Sequence, residues 1–368
     1  MVQRFHGIDR HKRSSTISVL NREGVEVAFI ASCASFSTYI EKLGAEDAVV
    51  MEVGMGSFWW ADKIESKGAS CYVLDPYRFR IIKDSWKKTD KHDSRTMAKA
   101  LWVQTVSGEF GLPVVWKPTV LIRELRKLFA QYMDLNVHIC TLKNRVQSLA
   151  VENGITLTLM QKKELLSPRT GAETLGKLEL SDASRLAVRM NQEILWGVVK
   201  QKELLAQEIL RMGSPLAKEV KLLLTIKGVT FLTALAFLAD VGDVRRFRTL
   251  RKMNAYLGLV PRLRESGQKS HAGHINRASR SLTRTLLTQS VNKALEGSAA
   301  LRRFYEQVRE RSGTGRARIA VIRKLCGIMR QMLLKGEGFR ETKEELYAKK
   351  LRLYERRLEE LKGEQKSA

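Results

Sequence analysis

The sequence is short of cysteine, short of acid relative to base, and without long apolar runs, and each shortage removes a class of protein. Its four cysteines, Cys33, Cys71, Cys140 and Cys326, lie far apart and form no CxxC pair. Neither a disulfide framework nor a zinc site is suggested, and all four are expected as reduced core residues. No apolar run approaches the ~18–20 residues of a membrane-spanning helix. The opening MVQRFHGIDRHKR also lacks the apolar stretch of a signal peptide, so no membrane partner and a cytoplasmic, nucleoid-associated location are expected. Acids number 39 against 65 Lys and Arg, a formal charge of +26, while 44% hydrophobic content suffices to bury cores. A disordered basic tail is thereby excluded, and nucleic acid is the polyanionic partner that this charge fits.

The 368 residues provide for two ordinary domains and a connector. From Arg4 to about Asp75 the pattern favours strands: FHGID, STISVLN and VEVAFIA in close succession, then AVVMEVG and SCYVLD separated by helices near Phe36–Leu43 and Trp59–Lys67. Three early strands followed by strands alternating with helices predict a mixed sheet covered by helices, the order of an RNase H-like domain. Leu121, Leu125, Leu128, Tyr132, Leu135, Ile139, Leu142, Val146 and Leu149 then alternate in steps of four and three, the spacing of a heptad seam. A second helical run, Arg185 to Arg211, either folds back on it as an antiparallel hairpin or pairs, like it, with another protomer. The stretch from Asn153 to Asp182 reads as a loop with short helices. The fold class expected is α/β plus all-α, with domains at 1–115 (sheet), 116–214 (helical coiled-coil connector), 215–338 (basic helical domain) and 339–368 (charged helical tail). The basic character is local: Val241–Lys335 holds 22 Lys or Arg against 5 Asp or Glu, whereas Glu341–Ala368 holds 8 against 7 and is expected as a solvated helix without assigned function.

Two constellations carry chemistry. Asp9 ends the first predicted strand in GIDRHK, and Glu52 ends a later one in VVMEVG, so both can project from one sheet edge, where open sheets place their sites. Asp90 and Asp93, in KKTDKHDSRTMAKALW, begin a predicted helix and share a face three residues apart. Clustered carboxylates repel one another, so a cation is expected. Hard oxygen donors favour Mg²⁺, with Mn²⁺ as the alternative, and phosphodiester chemistry. His92 lies inside this motif and is read as a solvated helix residue.

In the basic region, TIKGVTFLTALAFLADVGDVRRF has the look of a helix-hairpin-helix, with Gly228 making the tight turn and helix amides available to a DNA phosphate. Further on, an apolar segment stops at Pro261, a polar loop with Ser266 and Gly267 follows, and basic helices resume. A serine among Arg262, Arg264 and Lys269 is placed to meet a phosphate, with the cations favouring its alkoxide or stabilising phosphate charge. Arg277 and Arg280 complete the expected nucleic-acid contacts.

Taken in order, GIDRHK, VVMEVG, KTDKHDS and IKGVTFLTALAFLADVGDVRRFRTLRKMNAYLGLVPRLRESGQKSHAGHI resemble the successive blocks of the DEDD transposases of the insertion-sequence one-ten family, which includes Piv-type invertases and bridge-RNA-guided recombinases. The resemblance runs from Arg4 to about Leu334. It implies that Asp9, Glu52, Asp90 and Asp93 are the metal-binding set of a RuvC-like domain and that Ser266 is a nucleophile forming a 5′-phosphoserine. It further implies double-stranded DNA partners (element ends or a circular junction, and a target), a structured guide RNA, and a homo-tetramer or dimer of dimers. The block reads RESGQ where relatives commonly double serine and glycine, and GHINRAS is a polar variant, so Ser270 and Ser279 stand as alternatives. Three further functions fit the residues: a Piv-type invertase that reads DNA directly, a metal-dependent nuclease in which Ser266 is a turn residue, and a DNA-bridging protein without catalysis.

Overall fold

The alternating apolar runs at the start of the chain form the strands expected of them. The computed structural model describes residues 1–82, 89–108, 111–266, 269–275 and 280–367; at 80–82, 262–266, 269–275 and 364–367 the description is of the backbone. The chain divides into two units, Met1–Lys117 and Pro118–Ala368.

The first unit runs β1 (Arg4–Arg10), β2 (Ser15–Leu20), β3 (Glu26–Cys33), α1 (Phe36–Ile40), β4 (Asp47–Glu52), α2 (Ser57–Glu65), β5 (Ser70–Leu74), α3 (Pro76–Ile82) and α4 (Asp90–Ser107). The sheet order is β3-β2-β1-β4-β5. Strands β1 to β3 pair antiparallel, and β4 and β5 add in parallel to β1. Side chains alternate between the faces of a strand. Ile8, Ile17, Val49, Met51 and Val73 accordingly meet Phe36, Ile40, Ala61 and Ile64 on one face. Phe5, Ala48, Val50 and Leu74 meet Met97, Ala98 and Leu101 of α4 on the other.

The second unit opens with α5 (Val120–Glu152), α6 (Leu159–Leu165), α7 (Gly171–Gly176) and α8 (Asp182–Met212). Of the two arrangements the heptad pattern left open, α5 and α8 form an antiparallel pair within the chain. Tyr132 lies beneath Lys202, whose Nζ is 4.9 Å from the ring centroid, Ile139 and Leu142 meet Leu195, and Val146 and Ala150 meet Val188. At the closed end Asn153 accepts from the Ser181 N–H at 3.0 Å and donates to Ser184 Oγ at 2.9 Å. The seam is rotated from the expected one. Leu125, Tyr132, Ile139, Leu142 and Val146 are buried as read, but Ile122, Phe129 and Ala150 also turn inward while Leu121, Leu128, Leu135 and Leu149 are half-buried. The buried stripe is wider than a two-residue seam because α5 packs on more than α8: its first turns enter the core formed with the helices that follow α8, and its last turns meet Leu165 of α6 and Leu175 of α7.

Next come α9 (Ala217–Leu224), α10 (Phe231–Val241), α11 (Leu250–Tyr256), β6 (Pro261–Ser266), β7 (Lys269–Ile275), α12 (Leu282–Gly297), α13 (Ala299–Lys335, kinked at Gly313) and α14 (Glu344–Ser367). The core unites the open ends of α5 and α8 with α9, α10, α12 and α13. Arg126 on α5 donates to the carbonyls of Ala239 (2.7 Å) and Asp240 (3.0 Å), satisfying acceptors at the C-terminal end of α10.

Three expectations are corrected here. The polar loop expected after Pro261 is a two-stranded antiparallel hairpin, β6 with β7, so this region is not all-α. A backbone ladder needs no apolar side chains, and a polar composition therefore did not reveal it. The tail is not simply solvated. Tyr354 is 1% exposed within the helical core, its hydroxyl pushed up to about 12 by burial, Lys350 Nζ donates to the carbonyls of Leu224 and Ile226, and Glu355 pairs with Lys221 at 2.7 Å. The cysteines are free but not uniformly core. Cys326 is buried, Cys33 and Cys71 are half-buried, and Cys140, one position past the seam residue Ile139, is exposed. No helix among the described residues is long and apolar enough to cross a membrane.

Candidate active site

The carboxylates are placed by register. β1 and β4 pair in parallel, with Ile8 opposite Met51 on the α1–α2 face. One residue further along each strand, alternation turns Asp9 and Glu52 to the opposite face, the one that α4 covers. That helix lies on Gly7. A Cβ built there would stand 2.0 Å from the Ser94 carbonyl oxygen and 2.3 Å from the Ala98 nitrogen, so only the missing side chain lets the helix backbone rest on β1.

The first turn of α4 then delivers its acids to the same end of the sheet. Thr89 caps it, its Oγ accepting from the His92 N–H at 3.2 Å. Asp90 and Asp93 follow in the first turn, where the helix dipole favours negative charge. Asp93 is buried at 7% exposure, whereas the Asp90 side chain is 59% exposed.

A residue the sequence reading passed over completes the cluster. His11, in the β1–β2 turn closed by its own N–H to the Ser14 carbonyl (2.9 Å), places Nε2 3.0 Å from Asp90 Oδ2 and 3.6 Å from Asp9 Oδ2. Donor atoms of Asp9, His11 and Asp90 lie within 4.8 Å of one another. Two carboxylates and an imidazole at that separation fit one divalent cation, and the nitrogen extends the donor set beyond the all-oxygen one read from sequence. Glu52 and Asp93 share the face and the sheet end without belonging to that three-residue group. The signal for His11 was its place two residues after Asp9 in GIDRHK. His92 is half-buried in the first turn of α4.

The expected nucleophile and most of the basic contacts belong to the second unit. Ser266 is the last residue of β6, its Cα opposite that of Lys269 on β7, and Ser270 is opposite Glu265. Arg262 and Arg264 lie on β6, while Arg277 and Ser279 fall outside the described residues. Arg280 is exposed, and its N–H donates to the Tyr256 carbonyl at 3.0 Å. Gly228 makes the turn between α9 and α10 at φ +90°, and its open side faces α12, where a Cβ would meet the Ser290 carbonyl oxygen at 2.8 Å.

Residues 220–306, spanning α9 to the start of α13, match the model of the transposase family IS116/IS110/IS902. The chain is 25% identical over 308 residues to the transposase for insertion sequence element IS1111A of Coxiella burnetii, covering 79% of each protein. It is 25% identical to a probable family 20 transposase of Pseudomonas aeruginosa, over 78% of this chain and 79% of that one. It is also 27% identical to the putative transposase y4qE of Sinorhizobium fredii, over 77% of this chain and 70% of that one. The family match lies in the helical block, and together with these relatives it supports a transposase similar to those of the IS116/IS110/IS902 family, enzymes that cut and rejoin DNA.

Proposed function

We propose that this transposase cuts and rejoins DNA through a covalent 5′-phosphoserine at Ser266, assisted by a divalent-cation site at Asp9, Glu52, Asp90 and Asp93, to which His11 is added. The observation that carries the reading is the approach of Asp9, His11 and Asp90 to within 4.8 Å of one another. The strand order β3-β2-β1-β4-β5, with acids at the ends of β1 and β4 and on the helix across them, supports an RNase H-like, RuvC-like domain at 1–115. Segments 116–214, 215–338 and 339–368 serve in this reading as helical connector, serine-bearing domain and tail.

In the cutting step Ser266 Oγ, losing its proton, attacks a DNA phosphorus. The bond to the 3′ oxygen breaks, that oxygen takes up a proton, and the 5′ phosphate stays esterified to the serine. Rejoining reverses the exchange, as a 3′ hydroxyl attacks the phosphoserine and the serine leaves, so no ATP is consumed. Arg262, Arg264 and Lys269 supply positive charge to the phosphate. Mg²⁺, or Mn²⁺, when held by the acids and His11, neutralises phosphate charge. Gly228, Arg277 and Arg280 are assigned to DNA contact. The 22 basic against 5 acidic residues in Val241–Lys335 support a nucleic-acid partner; two DNA duplexes, a structured guide RNA and a homo-tetramer or dimer of dimers are assigned on the family resemblance alone.

The test is a denaturing gel of labelled element-junction DNA incubated with Mg²⁺ and co-expressed RNA. Wild type yields a protein-linked strand. Ser266→Ala yields none, and Asp9→Asn lowers the yield by about two orders of magnitude or more. Free cleaved ends from wild type and Ser266→Ala alike sink the serine chemistry and leave a metal-dependent nuclease. Recombination by RNase-treated protein on DNA alone removes the guide and leaves the Piv-type invertase.

A further inference from the structure

β1, β4 and β5 run parallel, so the loops leaving β4 and β5 emerge at the same end of the sheet as Asp9 and Glu52. At that end three large side chains stand in solvent. Met55 is 95% exposed, Tyr77 82% and Trp59 53%. Single exposed apolar residues are ordinary, but a group of them bordering a candidate site marks a surface for contact.

Met55 and Trp59 are strapped to the site and interleaved with cations, while Tyr77 stands at the start of α3, after the neighbouring strand β5. Arg10, next in sequence to Asp9, donates from Nη1 to the Met55 carbonyl at 3.3 Å and lays its guanidinium 4.8 Å from the Trp60 ring centroid. Trp60 holds Trp59 edge to face at 4.6 Å, and Lys63 Nζ lies 5.5 Å from the Trp59 centroid. The cores of protein–protein interfaces are poor in lysine. Exposed rings alternating with cations instead fit a nucleic-acid strand, its bases lying on the rings and its phosphates near the charges.

We propose that Met55, Trp59 and Tyr77 form a stacking platform for unpaired bases of the DNA strand whose phosphate enters the carboxylate end of the sheet, with Trp59 as the principal positioning residue. The identity of that strand rests on the reading given under Proposed function; the stacking does not. A platform for unpaired bases requires the duplex to open beside the scissile phosphate, and it holds the opened strand in place there.

The probe is oligo(dT) of about twelve nucleotides, compared with the same strand paired to oligo(dA), with affinity for the full chain read by fluorescence anisotropy. Trp59→Ala is expected to weaken binding of the single strand about tenfold and of the duplex less than about twofold, and Trp59→Phe to regain most of the loss. The double change Met55→Ala with Tyr77→Ala, at positions too exposed to disturb folding, is expected to weaken the single strand about threefold. Unchanged single-strand affinity overturns the proposal, as does equal loss for single strand and duplex. A change confined to self-association, read by sedimentation, overturns it too and makes the patch a protein contact. Binding of these probes requires no cleavage, so the absence of a phosphoserine adduct from wild type would sink the serine chemistry while leaving the platform standing.

Discussion

Two glycines lie beneath helices in the two units, and the sequence presents them in opposite ways. Gly228 sits where a reader looks for glycine, in a turn between apolar helices, and its φ of +90° favours the residue on conformational grounds alone. Gly7 sits inside a strand between Ser18 and Val50, with no positive φ, where glycine ordinarily weakens pairing. Yet the tighter contact is at Gly7, whose absent Cβ would stand 2.0 Å from a backbone oxygen, against 2.8 Å at Gly228. The helix on Gly7 is the one that carries Asp90 and Asp93. In the first unit, then, a missing side chain fixes the distance between two halves of a candidate site. In the second it joins a turn to a neighbouring helix.

The sharpest way to test that difference is Gly7→Ala. Its new carbon would meet the Ser94 carbonyl and the Ala98 nitrogen, both main-chain atoms inside α4, so no rotamer change can relieve it and the helix must lift. A loss of about 4 kcal/mol is expected in urea unfolding, at the upper end for a single substitution. Strand cleavage by the folded fraction should fall with it, because Asp90 and Asp93 move away from Asp9. An Ala variant as stable and as active as wild type would show that α4 can be displaced without consequence.

A smaller effect is expected where the same unit sets its strand register. Asp47 starts β4 opposite Arg4 of β1 and is fully buried, accepting from Arg4 Nε at 2.6 Å and from the Gly44 N–H at 2.7 Å, with His6 Nε2 at 2.9 Å. Burial alone would push its carboxyl up, but hydrogen bonds from His6, Arg4 and the Gly44 amide outweigh that and hold it well below the usual range. Its contribution to stability is therefore complete above the unfolded carboxyl value of about 3.9 and is lost as pH falls below it toward the lower folded value. Asp47→Asn should cost about 3 kcal/mol at neutral pH, discounted because the Arg4 side chain is half exposed. The variant should also show a flatter urea midpoint between pH 7 and pH 3 than wild type; equal slopes would place the acid sensitivity elsewhere.

The features that could be read in advance were those written as periods. Alternation between Phe5 and Leu74 showed five strands, steps of four and three between Leu121 and Leu149 showed the long helix, and strand ends and a helix start singled out Asp9, Glu52, Asp90 and Asp93. What escaped depends on partners distant in sequence. Gly7 is explained only by Ser94 and Ala98, and Tyr354 only by the core it enters from a charged tail. His11 escaped for a different reason. It is one of the six histidines of the whole chain and stands among basic residues, and only the β1–β2 turn directs its ring to Asp9 and Asp90. The β6–β7 hairpin is held by main-chain groups, which sequence does not distinguish.

The mildest change closes the comparison. Gly228→Ala adds strain at φ +90° and a contact with the Ser290 carbonyl oxygen at 2.8 Å, while its other near neighbour, the Lys293 Cβ, also stands at 2.8 Å on the same helix. The overlap with α12 is shallower than that of Gly7 with α4, so a smaller displacement of the helix relieves it, and about 2 kcal/mol is expected in urea unfolding. If the turn also meets a phosphate, the folded variant should lose affinity for duplex DNA uniformly across sequences, because backbone contacts carry no base information. An unchanged duplex affinity in the folded variant would confine Gly228 to packing and leave the DNA contact to the basic residues that follow it.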